Sequence, residues 1–192
     1  MGLTLTEVLV VIATLAFLLS ILAPALGRAK DQAKVVACRS NLRSILVGCL
    51  LYAQQNDSVL PVDVTVDNPH RGLIDMLGSV GCAGTAASFY CPSQTQGELC
   101  FSEQNWQEGN IGYFYYSCAA RPTNRNLSSF LLKSVVWPRI IRDTMPAGTW
   151  VISDCWFSGI PTAHEGYKKG VNYAVLDGSV DMVVESPRAE FK

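Results

Sequence analysis

Nineteen consecutive residues, Val8 to Leu26, carry no charge. At about 1.5 Å of rise per residue, a helix over such a run covers the roughly 30 Å of a bilayer's hydrocarbon core. The run is preceded by a single acid, Glu7. A carboxylate inside an apolar span costs on the order of 2.5–3.5 kcal/mol on insertion scales and calls for a partner. Any fold of this chain therefore has to provide cover for an apolar rod and company for one carboxylate. A cleaved secretory signal does not fit. Such signals have a basic n-region and a shorter apolar stretch, of roughly 7–15 residues, and would not carry an acid at Glu7.

The helical pattern continues past the apolar run, to about Asn56. Beyond Gly27 the chain turns basic, with Arg28, Lys30, Lys34, Arg39 and Arg43 against one acid, Asp31. Apolar residues now recur at Val35, Cys38, Leu42, Ile45, Cys49 and Tyr52. These steps of three and four draw one stripe along a helix. Pro24 falls inside this pattern as an expected kink. Pro61, behind the polar run Gln54 to Asp57, marks the expected end. The chain thus divides into 1–2, a leader remnant; 3–27, a transmembrane half of the helix; 28–57, an amphipathic half; and 58–192, a globular α+β head.

In the head, Asn68-Pro69 reads as the start of a short helix with Leu73, Ile74 and Leu77 inward and Gly78 near its end. Strands are expected at Ser88–Cys91, Ile111–Cys118 and Thr149–Cys155. Val171–Leu176 and Ser179–Glu185 flank Asp177-Gly178, a strong hairpin signal. Arg121 to Asn126 reads as loop and Arg188 to Lys192 as a loose tail, while Ser129–Val136 fits helix and strand equally well.

The formal net charge of −1 removes the global basic field of a nucleic-acid binder. No P-loop, dinucleotide fingerprint or nucleophile–base pair stands out, so the chain does not read as an enzyme. Seven cysteines are present. In an extracytoplasmic head some of Cys82, Cys91, Cys100, Cys118 and Cys155 are expected to form disulfides, with pairing left open. Cys38 and Cys49 lie about 16 Å apart along one helical face, too far to bond to each other. They read as packed core thiols or as partners of head cysteines. Cys82, Cys91 and Cys100 are too widely spaced for a zinc ribbon, and His164, alone in a Gly-rich loop, reads as structural. No metal or cofactor is expected.

The N-terminus Gly2-Leu3-Thr4-Leu5-Thr6-Glu7, followed by the apolar run, resembles the processing site of type IV pilins and type II secretion pseudopilins. The resemblance continues through Pro24, through Leu26-Gly27-Arg28-Ala29-Lys30, through Cys38-Arg39-Ser40-Asn41-Leu42-Arg43, and through Cys91-Pro92-Ser93. It ends in Asn172-Tyr173-Ala174-Val175-Leu176-Asp177-Gly178-Ser179-Val180, which looks like a His-x9-Asp-Gly element with His164 upstream. Leu3 stands where the family usually has Phe, Ser179 where it has His, and His164 is further from Asp177 than the family spacing.

The resemblance implies cleavage after Gly2 by a prepilin peptidase, N-methylation of Leu3, and a type IV pilin fold in which a long N-terminal helix packs on an antiparallel sheet. It implies a structural role, as a subunit of a type II secretion pseudopilus or type IV-like pilus. Glu7 would pair with the Leu3 amine of the next copy, and Pro24 would let the helix bend within the filament. Implied partners are other copies of the chain, the peptidase, an inner-membrane assembly platform with its motor, and lipid before assembly; nucleic acid is not among them. The implied place is the inner membrane, single-pass with the head outside the cytoplasm, and then a periplasmic or surface filament. The basic flank after the span would by itself put that side in the cytoplasm, against the family topology. Some pseudopilins hold calcium in a C-terminal loop, which would make Asp154, Asp177 and Asp181 its ligands here. The alternative to a filament subunit is a membrane-anchored binding module that never polymerises.

Overall fold

The computed structural model describes residues 4–62, 71–82, 84–95, 97, 99–117, 140–154, 164 and 170–183. One helix, α1, runs from Leu5 to Gln55, 51 residues. It continues unbroken through Pro24. Its end falls where the polar run places it. The Asn56 amide donates to the Ala53 carbonyl, and Asp57 and Ser58 both take positive φ, at 50° and 63°. Two successive left-handed residues cannot continue a right-handed helix. The chain then pairs with residues far along the sequence: the Leu60 amide donates to the Ile141 carbonyl at 3.0 Å, and the Arg142 guanidinium to the Asp57 carbonyl at 3.0 Å.

The sheet has four antiparallel strands in the order β1-β2-β3-β4. They are β1 (Tyr113–Tyr115), β2 (Trp150–Asp154), β3 (Val171–Val175) and β4 (Val180–Val183). The long helix and this sheet make the chain an α+β protein. Asp177-Gly178 does form the β3–β4 turn. The Gly178 amide closes it on the Val175 carbonyl, with Gly178 at φ +91°. The Asp177 carboxylate accepts the Ser179 amide at 2.7 Å, the local bond that makes Asp a turn residue.

The inward stripe of α1 packs on this sheet. Val35, Cys38, Leu42, Ile45 and Cys49 are buried as their spacing predicts, Tyr52 is half-buried, and Leu46, Gly48 and Ala53 widen the face. A second helix, α2 (Arg71–Ser79), buries Leu73 and Leu77 against the same core. Gly48 is where the two helices come close: a Cβ there would lie 3.0 Å from a Leu77 methyl. Four buried tyrosines belong to the same core, and each hydroxyl has a partner, as burial of a phenol requires. Tyr90 donates to the Asn110 carbonyl, Tyr113 to the Tyr90 carbonyl, Tyr115 to the Pro61 carbonyl, and Tyr116 meets the Ser153 hydroxyl.

Two head elements differ from expectation. Residues expected as a strand at Ser88–Cys91 instead begin in a 3-10 turn, Ala86–Phe89, before the chain extends at Tyr90. A short helix, α3 (Glu103–Gln107), was not foreseen, although Ser102 caps it by accepting the Asn105 amide at 3.0 Å. The expected features at Asn68-Pro69, Arg121 to Asn126, Ser129–Val136 and Arg188 to Lys192 lie outside the described residues.

Candidate functional site

Two features stand apart from ordinary core packing. The first is the outer half of α1. Every residue from Thr4 to Lys30 is exposed, whereas burial begins at Val35. The rod from Leu5 to Lys30 extends about 39 Å beyond the part of the helix that meets the sheet. It is long and apolar enough to cross a membrane. A monomeric soluble protein rarely leaves so large an apolar surface uncovered.

Glu7 lies at the start of this rod, and it is not without a partner. Its carboxylate accepts the Thr4 amide at 2.8 Å and the Thr4 hydroxyl at 2.7 Å, while the Glu7 amide donates back to the Thr4 hydroxyl at 3.4 Å. This is a capping box, which satisfies amides that the first turn leaves free. On the isolated chain, the partner that the sequence calls for is Thr4 of the same helix. Thr4 and Glu7, three apart, carried that signal in the sequence. The expected processing residues Gly2 and Leu3 lie outside the described residues.

The second feature is a buried cluster of Cys38, Cys91, Asp154 and His164, whose sulfur, oxygen and nitrogen atoms all lie within 4.8 Å of one another. Cys38 enters from the inward stripe of α1. Cys91 follows the 3-10 turn, at a bend closed by the Gln94 amide on the Cys91 carbonyl. Asp154 is the last residue of β2. The Cys38 thiol donates to Asp154 Oδ1 at 2.7 Å. His164 Nε2 lies 3.1 Å from Asp154 Oδ2 and 3.5 Å from Cys91 Sγ.

A surrounding layer of hydrogen bonds fixes these groups. Ser93 Oγ lies 3.0 Å from His164 Nδ1. The Asn172 amide and side-chain nitrogen both donate to Asp154 Oδ2, at 3.0 and 2.8 Å. Arg39 Nε in turn donates to Asn172 Oδ1 at 3.0 Å. Asn41 reaches the Tyr90 carbonyl and the Tyr113 hydroxyl beside the cluster.

Cys91 is lowered to about 6, first by the neighbouring Cys38 thiol and then, against the opposing effect of burial, by His164. Burial works to lower His164, but its bonds to Asp154 and Cys91 outweigh that and raise it to about 9. Burial, the neighbouring Cys91 and the nearby Asp154 charge push Cys38 well above an ordinary thiol.

A Cys-His-Asp set invites comparison with a nucleophilic triad, and the geometry rejects it. In a triad the acid holds Nδ1 while the nucleophile faces Nε2. Here Asp154 and Cys91 both face Nε2, and Nδ1 is taken by Ser93. Asp154, Cys91 and His164 thus converge on one point, an arrangement that could hold a metal ion.

The acidic trio considered for calcium is not assembled. Asp154 is fully buried, whereas Asp177 and Asp181 are exposed on the β3–β4 hairpin and accept the backbone amides of Ser179 and Met182. Cys38, Cys49, Cys82, Cys91 and Cys100 are free thiols, and Cys118 and Cys155 lie outside the described residues. Sequence spacing did not group the four cluster residues. Cys38 and Asp154 are 116 positions apart, and Cys91 and His164 are 73. The sequence trace is that Cys38, Arg39 and Asn41 of one short run, Cys91 and Ser93 of another, and Asn172 all contribute to this one place. No protein-family model, curated protein or solved structure matches the chain.

Proposed function

We propose that this protein is a filament subunit of the type IV pilin and type II secretion pseudopilin kind. The observation that carries the proposal is the division of α1. Its inner half packs on the protein's own sheet, and its outer half, from Thr4 to Lys30, is exposed throughout among the described residues. In the monomer, lipid covers the outer half; in the filament, the same surface packs in a bundle of identical helices. Copies related by an operation that does not close generate a fibre. A long helix lying across an antiparallel meander also fits the pilin architecture.

In this scheme a prepilin peptidase cuts after Gly2, and the new amine of Leu3 lies near the depth of the Glu7 carboxylate of a neighbouring copy. Attraction between the two is strong where water is excluded. The protein would pass from the inner membrane into a periplasmic or surface filament through an assembly platform and its motor. The terminal mass of the protein extracted from its native membrane tests the processing step. A chain beginning at N-methylated Leu3 is the expected result, and a chain retaining Met1 contradicts it.

A rival role, a single-pass anchor for an extracytoplasmic binding head, is favoured by one observation. The capping box already gives Glu7 a partner within its own helix. An anchor needs no second copy to satisfy that carboxylate.

A further inference from the structure

We propose that Cys38, Cys91, Asp154 and His164 form a structural metal centre for a tetrahedral divalent ion of the zinc class. The proposal does not depend on filament assembly. Two thiols, an imidazole and a carboxylate are the ligand types that zinc takes in four-coordinate sites, and soft sulfur excludes magnesium and calcium. With bonds of about 2.0–2.3 Å, a tetrahedron spaces its ligand atoms roughly 3.3–3.8 Å apart. His164 Nε2 stands 3.5 Å from Cys91 Sγ and 3.1 Å from Asp154 Oδ2, near those edges, whereas Cys38 Sγ and Asp154 Oδ1, at the 2.7 Å of their hydrogen bond, would move apart as an ion displaces the shared proton.

The outer layer is that of a metal site as well. Metal-bound histidines pass their other nitrogen to a fixed partner, and ligating carboxylates are themselves hydrogen-bonded. Ser93 takes His164 Nδ1, Asn172 donates twice to Asp154, and Arg39 holds Asn172. All four ligands are buried, and the protein supplies the full set of four. Closed sites of this kind are structural, whereas catalytic zinc keeps a position open.

Without an ion the fold would bury four ionisable groups held together by shared protons, an expensive arrangement. With one, Cys38 and Cys91 bind as thiolates, His164 as neutral imidazole and Asp154 as carboxylate. The ion then joins α1, the turn at Cys91-Pro92-Ser93, the end of β2 and His164. It ties the long helix to the sheet at the point where the exposed rod gives way to the head.

Metal analysis of the full chain, purified in detergent from zinc-supplemented cells under reducing conditions, tests this. One zinc per chain is expected. Cobalt exchanged into the site should give the ligand-field bands of a tetrahedral ion with a thiolate charge-transfer band. Cys91→Ser should remove the stoichiometric zinc, while Cys49→Ser, a buried thiol outside the cluster, should retain it. Should Cys91→Ser fail to fold, Ser93→Ala serves instead, with zinc affinity expected to fall about 10–100-fold through loss of the His164 support. A replete chain without zinc, cobalt spectra without sulfur ligation, unchanged affinity in Ser93→Ala, or a Cys38–Cys91 disulfide in the native protein would each overturn the proposal.

Discussion

Glu7→Gln is expected to abolish filaments while leaving the protein in the membrane. The substitution separates two roles that one carboxylate can fill. Glutamine at the third helical position still accepts the Thr4 amide, so the capping box survives. What disappears is the charge, and with it the attraction to a neighbour's terminal ammonium. A neutral side chain also enters lipid at lower cost than a carboxylate, so membrane retention should not fall. Glu7→Ala removes both functions and should additionally loosen the first turn, by about 1 kcal/mol on the scale of helix caps. Electron microscopy of sheared surface material reads the outcome. Filaments at the wild-type level in Glu7→Gln would mean that Glu7 is a helix cap and nothing more.

The second large effect belongs to the inner half of the same helix. Leu42 is completely buried in the core that α1 shares with the sheet. Leu42→Ala removes that packing and leaves a cavity, at a cost of about 2–5 kcal/mol. For a head of this size, melting should fall by roughly 10 °C. Val47, on the outer face of the same helix and 47% exposed, is the control. Val47→Ala should change stability by less than about 0.5 kcal/mol. Thermal unfolding followed by circular dichroism in detergent checks the pair. Equal, small effects at both positions would mean that α1 is an appendage rather than part of the head's core.

These two residues mark how unevenly the sequence disclosed the structure. Helical periodicity is a local signal, and the stripe from Val35 to Cys49 led directly to the buried face of α1. The β3–β4 hairpin was equally legible, because Asp177-Gly178 encodes its turn within two residues. Ser88–Cys91 reads as a strand, yet Ser88 and Phe89 belong to the 3-10 turn Ala86–Phe89, because a short apolar run is compatible with either state and nothing nearby settles which. The cluster at His164 was illegible for a different reason. Its members come from α1, a turn, the end of β2 and a single histidine, and only the packing of the helix and loops on the sheet brings them together. Spacing rules for zinc motifs detect ligands that are neighbours in sequence, and Cys38 has none. Glu7 shows the opposite error. Its place at the head of an apolar run pointed to a partner on another copy, when Thr4, three residues earlier, already bonds to its carboxylate.

The account rests on the outer half of α1 being covered by copies of itself. Phe17 lies in the middle of that half and is 67% exposed on the isolated chain. A photoreactive phenylalanine analogue placed at position 17, activated in intact cells under assembly conditions, reports what touches it. Cross-linked products at multiples of the chain mass, forming a ladder, are predicted. Products confined to the monomer and its lipid adducts would contradict the account and identify the helix as a membrane anchor.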